Sequence, residues 1–169
     1  RSRADGAGAA TSFASPIVTG VATQLMERQP ILQSWPVIMK ALLMATAVGN
    51  PDPLSARLSE KDGAGGIWAS YGDEVLRGLR GNWAGTPYTC ASPTRLALMN
   101  ASLVAGKRTR VVIAWNTNPN DVNYNYQPSA DIDLQVVGPG GVLAAKSTSF
   151  DNAYEIVDFR PAVSGTYSI

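Results

Sequence analysis

The first third of the chain carries apolar residues at helical spacing. From Phe13, the residues Ile17, Val21 and Leu25 recur every four positions, beside further apolar neighbours. This period predicts an amphipathic helix with one broad buried stripe, which runs to about Arg28.

Two further helices are predicted before the middle of the chain. Ser34 is a good N-cap residue for the second helix, and Pro36 is tolerated in its first turn. The Gly- and Pro-rich segment 49–53 ends that helix. A glycine turn at 63–66 then leads to a third short helix, predicted around residues 73–79.

In the second half of the chain the apolar period changes to two. Apolar residues alternate over 111–115 and 132–136, which predicts strands with one buried face. Gly- and Pro-rich turn signals separate these runs, and several short strands at this spacing predict an antiparallel β-sandwich or jelly roll. We therefore expect a helical part, 1–82, and a sandwich part, 83–169, whose last strand is cut short at the end of the sequence.

Composition narrows the class of protein. The 169 residues are 45% hydrophobic and 16% charged with a net charge of +1, which favours a folded core and argues against a nucleic-acid-binding surface. The longest apolar run, 37–48, is too short for a membrane span. Cys90 is the only cysteine and there is no histidine, so an intrachain disulfide and a Cys/His zinc site are both excluded.

Ser12 is the main candidate for chemistry. It stands at the entry of the first predicted helix among small residues, as a nucleophilic serine can. The alternative is an ordinary helix N-cap. A serine hydroxyl needs a base to take its proton, and the chain contains no histidine to do so.

The residues around Ser12 carry a resemblance to a known family. Residues 11–16, Thr-Ser-Phe-Ala-Ser-Pro, resemble the nucleophile motif Gly-Thr-Ser-x-Ala-x-Pro of the subtilisin-like serine proteases. Residues 17–22 resemble the helix that continues this motif, and 63–65 resemble the Gly-x-Gly turn before the last helix of the catalytic domain. Residues 107–115, 131–134 and 164–167 are similar to the β-sandwich domain that follows the catalytic domain in many secreted members.

The resemblance implies an α+β chain. Its first part would be the C-terminal helical section of a subtilisin-type α/β catalytic domain, followed by an antiparallel β-sandwich of jelly-roll type. The chain would be the C-terminal fragment of a secreted endopeptidase that hydrolyses peptide bonds through Ser12, whose backbone N–H also serves the oxyanion hole. Thr11, Ala14 and Pro16 support that motif.

The resemblance also implies that this fragment is inactive alone. In the family the triad Asp and His lie upstream of the serine, so the chain is expected to begin after them. Ala10 stands where the family motif has glycine. Alanine lacks the backbone freedom of glycine, so a pseudoprotease is an alternative.

Asp131 and Asp133 are candidate ligands for a metal ion. At i and i+2 of a strand, both carboxylates would project from the polar face and could share a calcium ion. The other candidate ligands are Asp121, Asn123, Asp151 and Asn152. The alternative is a solvated polar sheet face. No other cofactor is expected.

Exposed surfaces suggest partners. Tyr124 and Tyr126, near Trp115, could contact sugars or proteins if they are exposed, although burial against the sandwich is the simpler interpretation. An alternative function is thus a non-catalytic module that binds protein or glycan. In the intact enzyme the partner is a polypeptide substrate, and the helical part, without a sheet to cover it, is expected to form a homodimer through exposed helix faces.

Overall fold

The chain folds into two compact units, one helical and one built from sheets. The computed structural model describes residues 11–49, 63–89, 91–117 and 130–169. The helical unit holds the described residues up to Trp83, and the sheet unit holds those from Ala84 to Ile169.

The described residues of the helical unit form three α-helices and one 3-10 turn. Helix α1 spans Thr11–Arg28, the 3-10 turn spans Pro30–Gln33, α2 spans Pro36–Thr46 and α3 spans Ala69–Leu76. These elements share one apolar cluster, whose buried members are Leu25, Leu32, Ile38, Met39 and Leu42. The predicted end of the first helix at Arg28 is confirmed.

Helix α2 does not begin as predicted. Trp35, with a non-helical backbone, occupies its N-cap position, and no side chain caps the helix. Ser34 instead closes the preceding 3-10 turn, where its N–H donates to the Ile31 carbonyl at 3.0 Å. The N-cap assigned to Ser34 was wrong because residues 30–33 already form a helical turn, so the chain has no extended residue at that position.

Helix α3 lies earlier in the chain than predicted. It begins at Ala69 because Trp68 is extended and its carbonyl accepts the N–H groups of Tyr71 and Gly72. At the other end, Gly78 has a φ of 71° and donates to Val75, and the next residue donates back to Glu74 at 2.8 Å. This is a Schellman C-cap, in which a left-handed glycine closes the helix.

The sheet unit contains six described strands. They are β1 Asn100–Leu103, β2 Thr109–Ala114, β3 Leu134–Val137, β4 Leu143–Ser147, β5 Tyr154–Phe159 and β6 Gly165–Ser168. One sheet has the order β1-β6-β3-β4 and the other pairs β2 with β5. All of these pairings are antiparallel.

The two sheets contribute to one apolar core. Leu134 and Val136 of β3 are buried while Gln135 between them is exposed, as the period of two predicts. Val157 of β5 and Tyr167 of β6 complete the buried cluster. The mixed helices and antiparallel sheets confirm an α+β chain, whereas the jelly-roll topology and the boundary at residues 82–83 stay predictions.

Candidate active site

Ser12 lies in the first turn of α1 and is exposed to solvent. It is inside the helix, not at the position that precedes it, so an N-cap role does not describe its placement. The first four N–H groups of a helix have no acceptor within the helix, and the N–H of Ser12 is one of them. These N–H groups and the positive end of the helix dipole favour a negative charge at this end.

The first turn of α1 leaves that positive end uncompensated by its own side chains. It contains no acidic residue, and the basic residue Arg28 lies in the last turn, where it complements the opposite end of the dipole. An oxyanion formed beside Ser12 would therefore meet backbone donors without competition from a carboxylate of the same turn.

Pro16 lies inside α1, in the second turn of the described helix. Proline has no N–H, so Pro16 cannot donate to the carbonyl four residues earlier, which belongs to Ser12. The helix is thus weakened at the residue that would carry the chemistry. Thr11 is exposed and Ala14 is half-buried beside it.

The C-terminal half of α1 is held by α3. Leu25 is buried against Gly72, and Arg28 Nε donates to Asp73 Oδ1 at 2.6 Å. A groove of about 500 Å³ lies along this contact. By contrast, Phe13 and Ile17 near Ser12 remain 50% and 47% exposed.

The glycine turn before α3 makes a close backbone contact. The N–H of Gly66 donates to the carbonyl of Val48 at 2.6 Å, and Val48 donates back at 2.9 Å. Gly65 has a φ of 119°, and a Cβ there would lie 2.4 Å from the Val48 oxygen. Only glycine fits such a position, which gives a physical reason for Gly65 in segment 63–65.

Comparison with known proteins shows what this segment is similar to. The sequence profile described as "Subtilase family" matches residues 3–72, which is less than half of the chain. The match supports a subtilisin-like segment there. The matched range contains Ser12, all of α1 and α2, and α3 as far as Gly72. No curated protein matches the chain significantly.

The segment that matches the subtilases contains Ser12 but no histidine. The full sequence has none. A Ser-His-Asp triad therefore cannot be completed from this chain, whatever its conformation. Ala10, which replaces the motif glycine, lies outside the described residues.

Asp131 and Asp133 do not lie on a strand as expected. Both are exposed and precede β3, which begins only at Leu134. No group of three or more Cys, Asp or Glu side chains within the described ranges could hold a metal ion. Asp121 and Asn123 lie outside those ranges. Asp151 and Asn152 are engaged locally, since Asn152 Nδ2 donates to Asp151 Oδ1 at 2.9 Å; calcium binding stays a prediction.

The predicted aromatic loop, Tyr124 to Tyr126, lies outside the described residues. Trp115 next to it is half-buried rather than fully in the core. Its indole Nε1 donates a hydrogen bond to the Ala130 carbonyl at 2.9 Å. This bond joins the described residues on either side of the aromatic loop.

Two buried carboxylates in β5 were not among the residues singled out from the sequence. Asp158 accepts hydrogen bonds from Arg108 Nε at 2.8 Å and from Arg110 Nη2 at 3.0 Å. The hydrogen bond to Asp158 raises the pKa of the Arg108 guanidinium. Glu155, 1% exposed, accepts from the Ser147 hydroxyl and from the Ser149 N–H.

A signal for these carboxylates was present in the sequence. Residues 154–159 read Tyr-Glu-Ile-Val-Asp-Phe, in which two acids interrupt an apolar run. Charged residues within such a strand are seldom buried unless they are paired. They stabilise the sheet unit and lie in a different unit from Ser12.

Proposed function

We propose that this chain supplies the nucleophile-bearing section of a subtilisin-like serine endopeptidase, with Ser12 as the nucleophile. The observation that carries the proposal is the exposed position of Ser12 in the first turn of α1, inside the segment that matches the subtilase family. The substrate is a polypeptide.

The reaction follows from that position. Ser12 Oγ attacks the carbonyl carbon of a peptide bond while a general base removes its proton, and the carbonyl oxygen becomes an oxyanion. The Ser12 N–H and the helix end stabilise this charge. The tetrahedral intermediate collapses to an acyl-enzyme, the amine leaves with the proton, and water hydrolyses the ester.

The histidine of a catalytic triad has to come from outside the chain, because the chain has none. The isolated chain is therefore expected to react very slowly with a fluorophosphonate, which labels only activated serines. A second subtilase segment that carries the triad Asp and His should activate Ser12 when the two are co-expressed.

The test measures both association and labelling. Size-exclusion chromatography identifies the complex, and peptide mass spectrometry identifies the labelled residue. We expect labelling at Ser12 that Ser12→Ala abolishes. Ser15→Ala is the matched control, since Ser15 is also exposed in α1 and should not affect labelling. A complex that forms but leaves Ser12 unlabelled would favour the pseudoprotease alternative.

We propose that the sheet unit is the appended β-sandwich, of jelly-roll type. Two antiparallel sheets that share a core support this, as does Tyr167, whose OH donates to the Val163 carbonyl at 2.7 Å. A tyrosine that bonds the backbone a few residues upstream is a feature of sandwich domains. A solved structure of the unit with eight strands in two Greek keys would bear this out.

Three further properties belong to the same proposal. Secretion follows from the resemblance to secreted proteases. Calcium binding at Asp131 and Asp133 predicts a melting temperature that falls when a chelator is added, and Asp133→Asn should remove that response.

Homodimerisation through α1 is supported by the exposed Phe13 and Ile17, and light scattering should then report a dimer that Ile17→Asp dissociates.

Among the residues that the structure describes, no helix is both long and apolar enough to cross a bilayer.

A further inference from the structure

One triplet of the sheet unit matches the acceptor pattern for N-linked glycans. Asn100, Ala101 and Ser102 form an Asn-x-Ser sequence in which x is not proline, and no other Asn-x-Ser/Thr triplet occurs in the sequence. Such a triplet carries a glycan only where it is accessible, in a protein that follows a secretory route.

The triplet lies on β1 with both functional side chains on one face. Asn100 and Ser102 are exposed, whereas Ala101 and Leu103 are half-buried. Leu103 packs against the apolar core of the sheet unit. Because side chains alternate along a strand, the amide of Asn100 and the hydroxyl of Ser102 both belong to the solvent face.

The neighbours of the triplet on that face are small and uncharged. In the register of the β1–β6 pair, Asn100 lies opposite Ser168 and Ser102 lies opposite Thr166. A sugar attached at Asn100 would therefore meet hydroxyl groups rather than a salt bridge or a bulky apolar side chain. Such a surface can hydrogen-bond the first sugar without displacing a structural contact.

Strand β1 stands at the edge of the four-stranded sheet formed by the described strands. An edge strand presents backbone N–H and C=O groups to which another chain can pair. A bulky, hydrated group at Asn100 would obstruct such pairing sterically. The location therefore leaves room for a glycan in the folded protein and gives it a protective role there.

We propose that Asn100 is an N-glycan acceptor when the chain passes through a secretory pathway with an oligosaccharyltransferase. The donor is an oligosaccharide linked to a lipid diphosphate. Asn100 Nδ2 forms a bond to the anomeric carbon, the bond from that carbon to the diphosphate oxygen breaks, and the amide loses one proton as the lipid diphosphate leaves. The proposal rests on the secretory route in the proposed function, and it does not depend on chemistry at Ser12.

The test translates the full chain, fused to a cleavable signal sequence, in the presence of eukaryotic microsomes. Transfer of the glycan takes place during translocation, so the assay needs no folded product. We expect the protease-protected chain to migrate more slowly on a gel, and peptide:N-glycosidase to reverse that shift. Asn100→Gln and Ser102→Ala should abolish the shift, whereas Ser102→Thr keeps the triplet and should retain it.

A protected wild-type chain that shows no shift overturns the proposal, as does a shift that persists in Asn100→Gln. Neither result bears on the fluorophosphonate assay of Ser12. Conversely, an unlabelled Ser12 together with a glycosylated Asn100 would remove the proposed catalytic role and leave the acceptor site intact.

Discussion

Gly72 of α3 lies against Leu25 of α1 so closely that a side chain at position 72 would have to displace it. A Cβ there would come within 2.9 Å of Leu25 Cδ1 and 3.1 Å of Cδ2. Leu25 is only 3% exposed and belongs to the buried cluster of the helical unit. The ion pair between Arg28 and Asp73, 2.6 Å long, flanks the same crossing. This contact sets how closely α1, which carries Ser12, approaches α3.

The first prediction is that Gly72→Ala destabilises the helical unit. The added methyl group must displace a buried leucine, and overpacking of this kind costs about 1–3 kcal/mol. Gly20→Ala is the matched control, because Gly20 also lies within a helix and a Cβ added there would have nothing within 4 Å. That change should stabilise by about 0.4–1 kcal/mol.

Urea unfolding followed by far-ultraviolet circular dichroism measures both variants. The opposite signs of the two effects separate packing from helix propensity, since both substitutions replace glycine by alanine in a helix. Equal stabilisation by the two changes would show that Leu25 can move away at little cost.

Sequence patterns predicted the fold correctly where one periodic signal dominated. The four-residue spacing up to Leu25 predicted α1, and its end at Arg28 agrees because Pro30 starts a new turn there. The alternation around Leu134 and Val136 likewise predicted the buried face of β3. In β3 the pattern reflects the burial that forms the core. In α1 the predicted broad buried stripe was wrong, because only Leu25 is buried while Phe13 and Ile17 are exposed.

The same patterns failed where the outcome depended on neighbouring turns or on distant partners. Ser34 has the chemistry of an N-cap, but the 3-10 turn before it determines the backbone. Asp158 can be buried because two arginines bind its carboxylate: Arg110 on β2 and Arg108 just before that strand. Only the pairing of β2 with β5 brings these residues together. Asp133 precedes β3 rather than lying on it, which no local pattern indicated.

The second prediction concerns Tyr167, a residue that is 2% exposed. Its hydroxyl donates a hydrogen bond to the Val163 carbonyl at 2.7 Å. Tyr167→Phe removes the bond and leaves a carbonyl without its donor, so we expect a loss of about 0.5–1.5 kcal/mol. Tyr88→Phe is the control, since the Tyr88 hydroxyl makes a longer bond, 3.2 Å, to Pro93 at an exposed site. If urea unfolding showed the same loss of unfolding free energy for both variants, burial of the hydroxyl would not explain the effect of Tyr167→Phe.

The third prediction is a loss of stability at alkaline pH through Tyr154. Burial, with smaller contributions from the charges of Asp151 and Glu155, raises the pKa of its phenol. The folded state therefore favours the neutral phenol. Its contribution to stability is fully present below the unfolded pKa of about 10 and is lost as the pH rises through the folded value.

The pH dependence of the unfolding free energy between about pH 9 and 12 tests this contribution. Tyr154→Phe has no phenol to ionise, so its stability should fall less steeply over that window. The comparison uses the slopes and not the absolute stabilities, because the substitution also changes packing. Identical slopes for the two proteins would exclude Tyr154 as a source of the alkaline response.

The fourth prediction is that Asp158→Asn destabilises the sheet unit strongly. The carboxylate has 3% side-chain exposure and binds Arg110, whose side chain is 10% exposed, so the change replaces a charged partner of a buried guanidinium with a neutral amide. Removing one partner of a buried pair costs about 3–5 kcal/mol. Arg108 is the contrasting position, because its side chain is 40% exposed and water can replace the lost contact. Arg108→Gln should cost about 1 kcal/mol or less.

Trp115, which lies in the sheet unit, reports unfolding by fluorescence when the three other tryptophans are replaced by phenylalanine. A small effect of Asp158→Asn in that background would mean that Asp158 contributes little net electrostatic energy to this sheet.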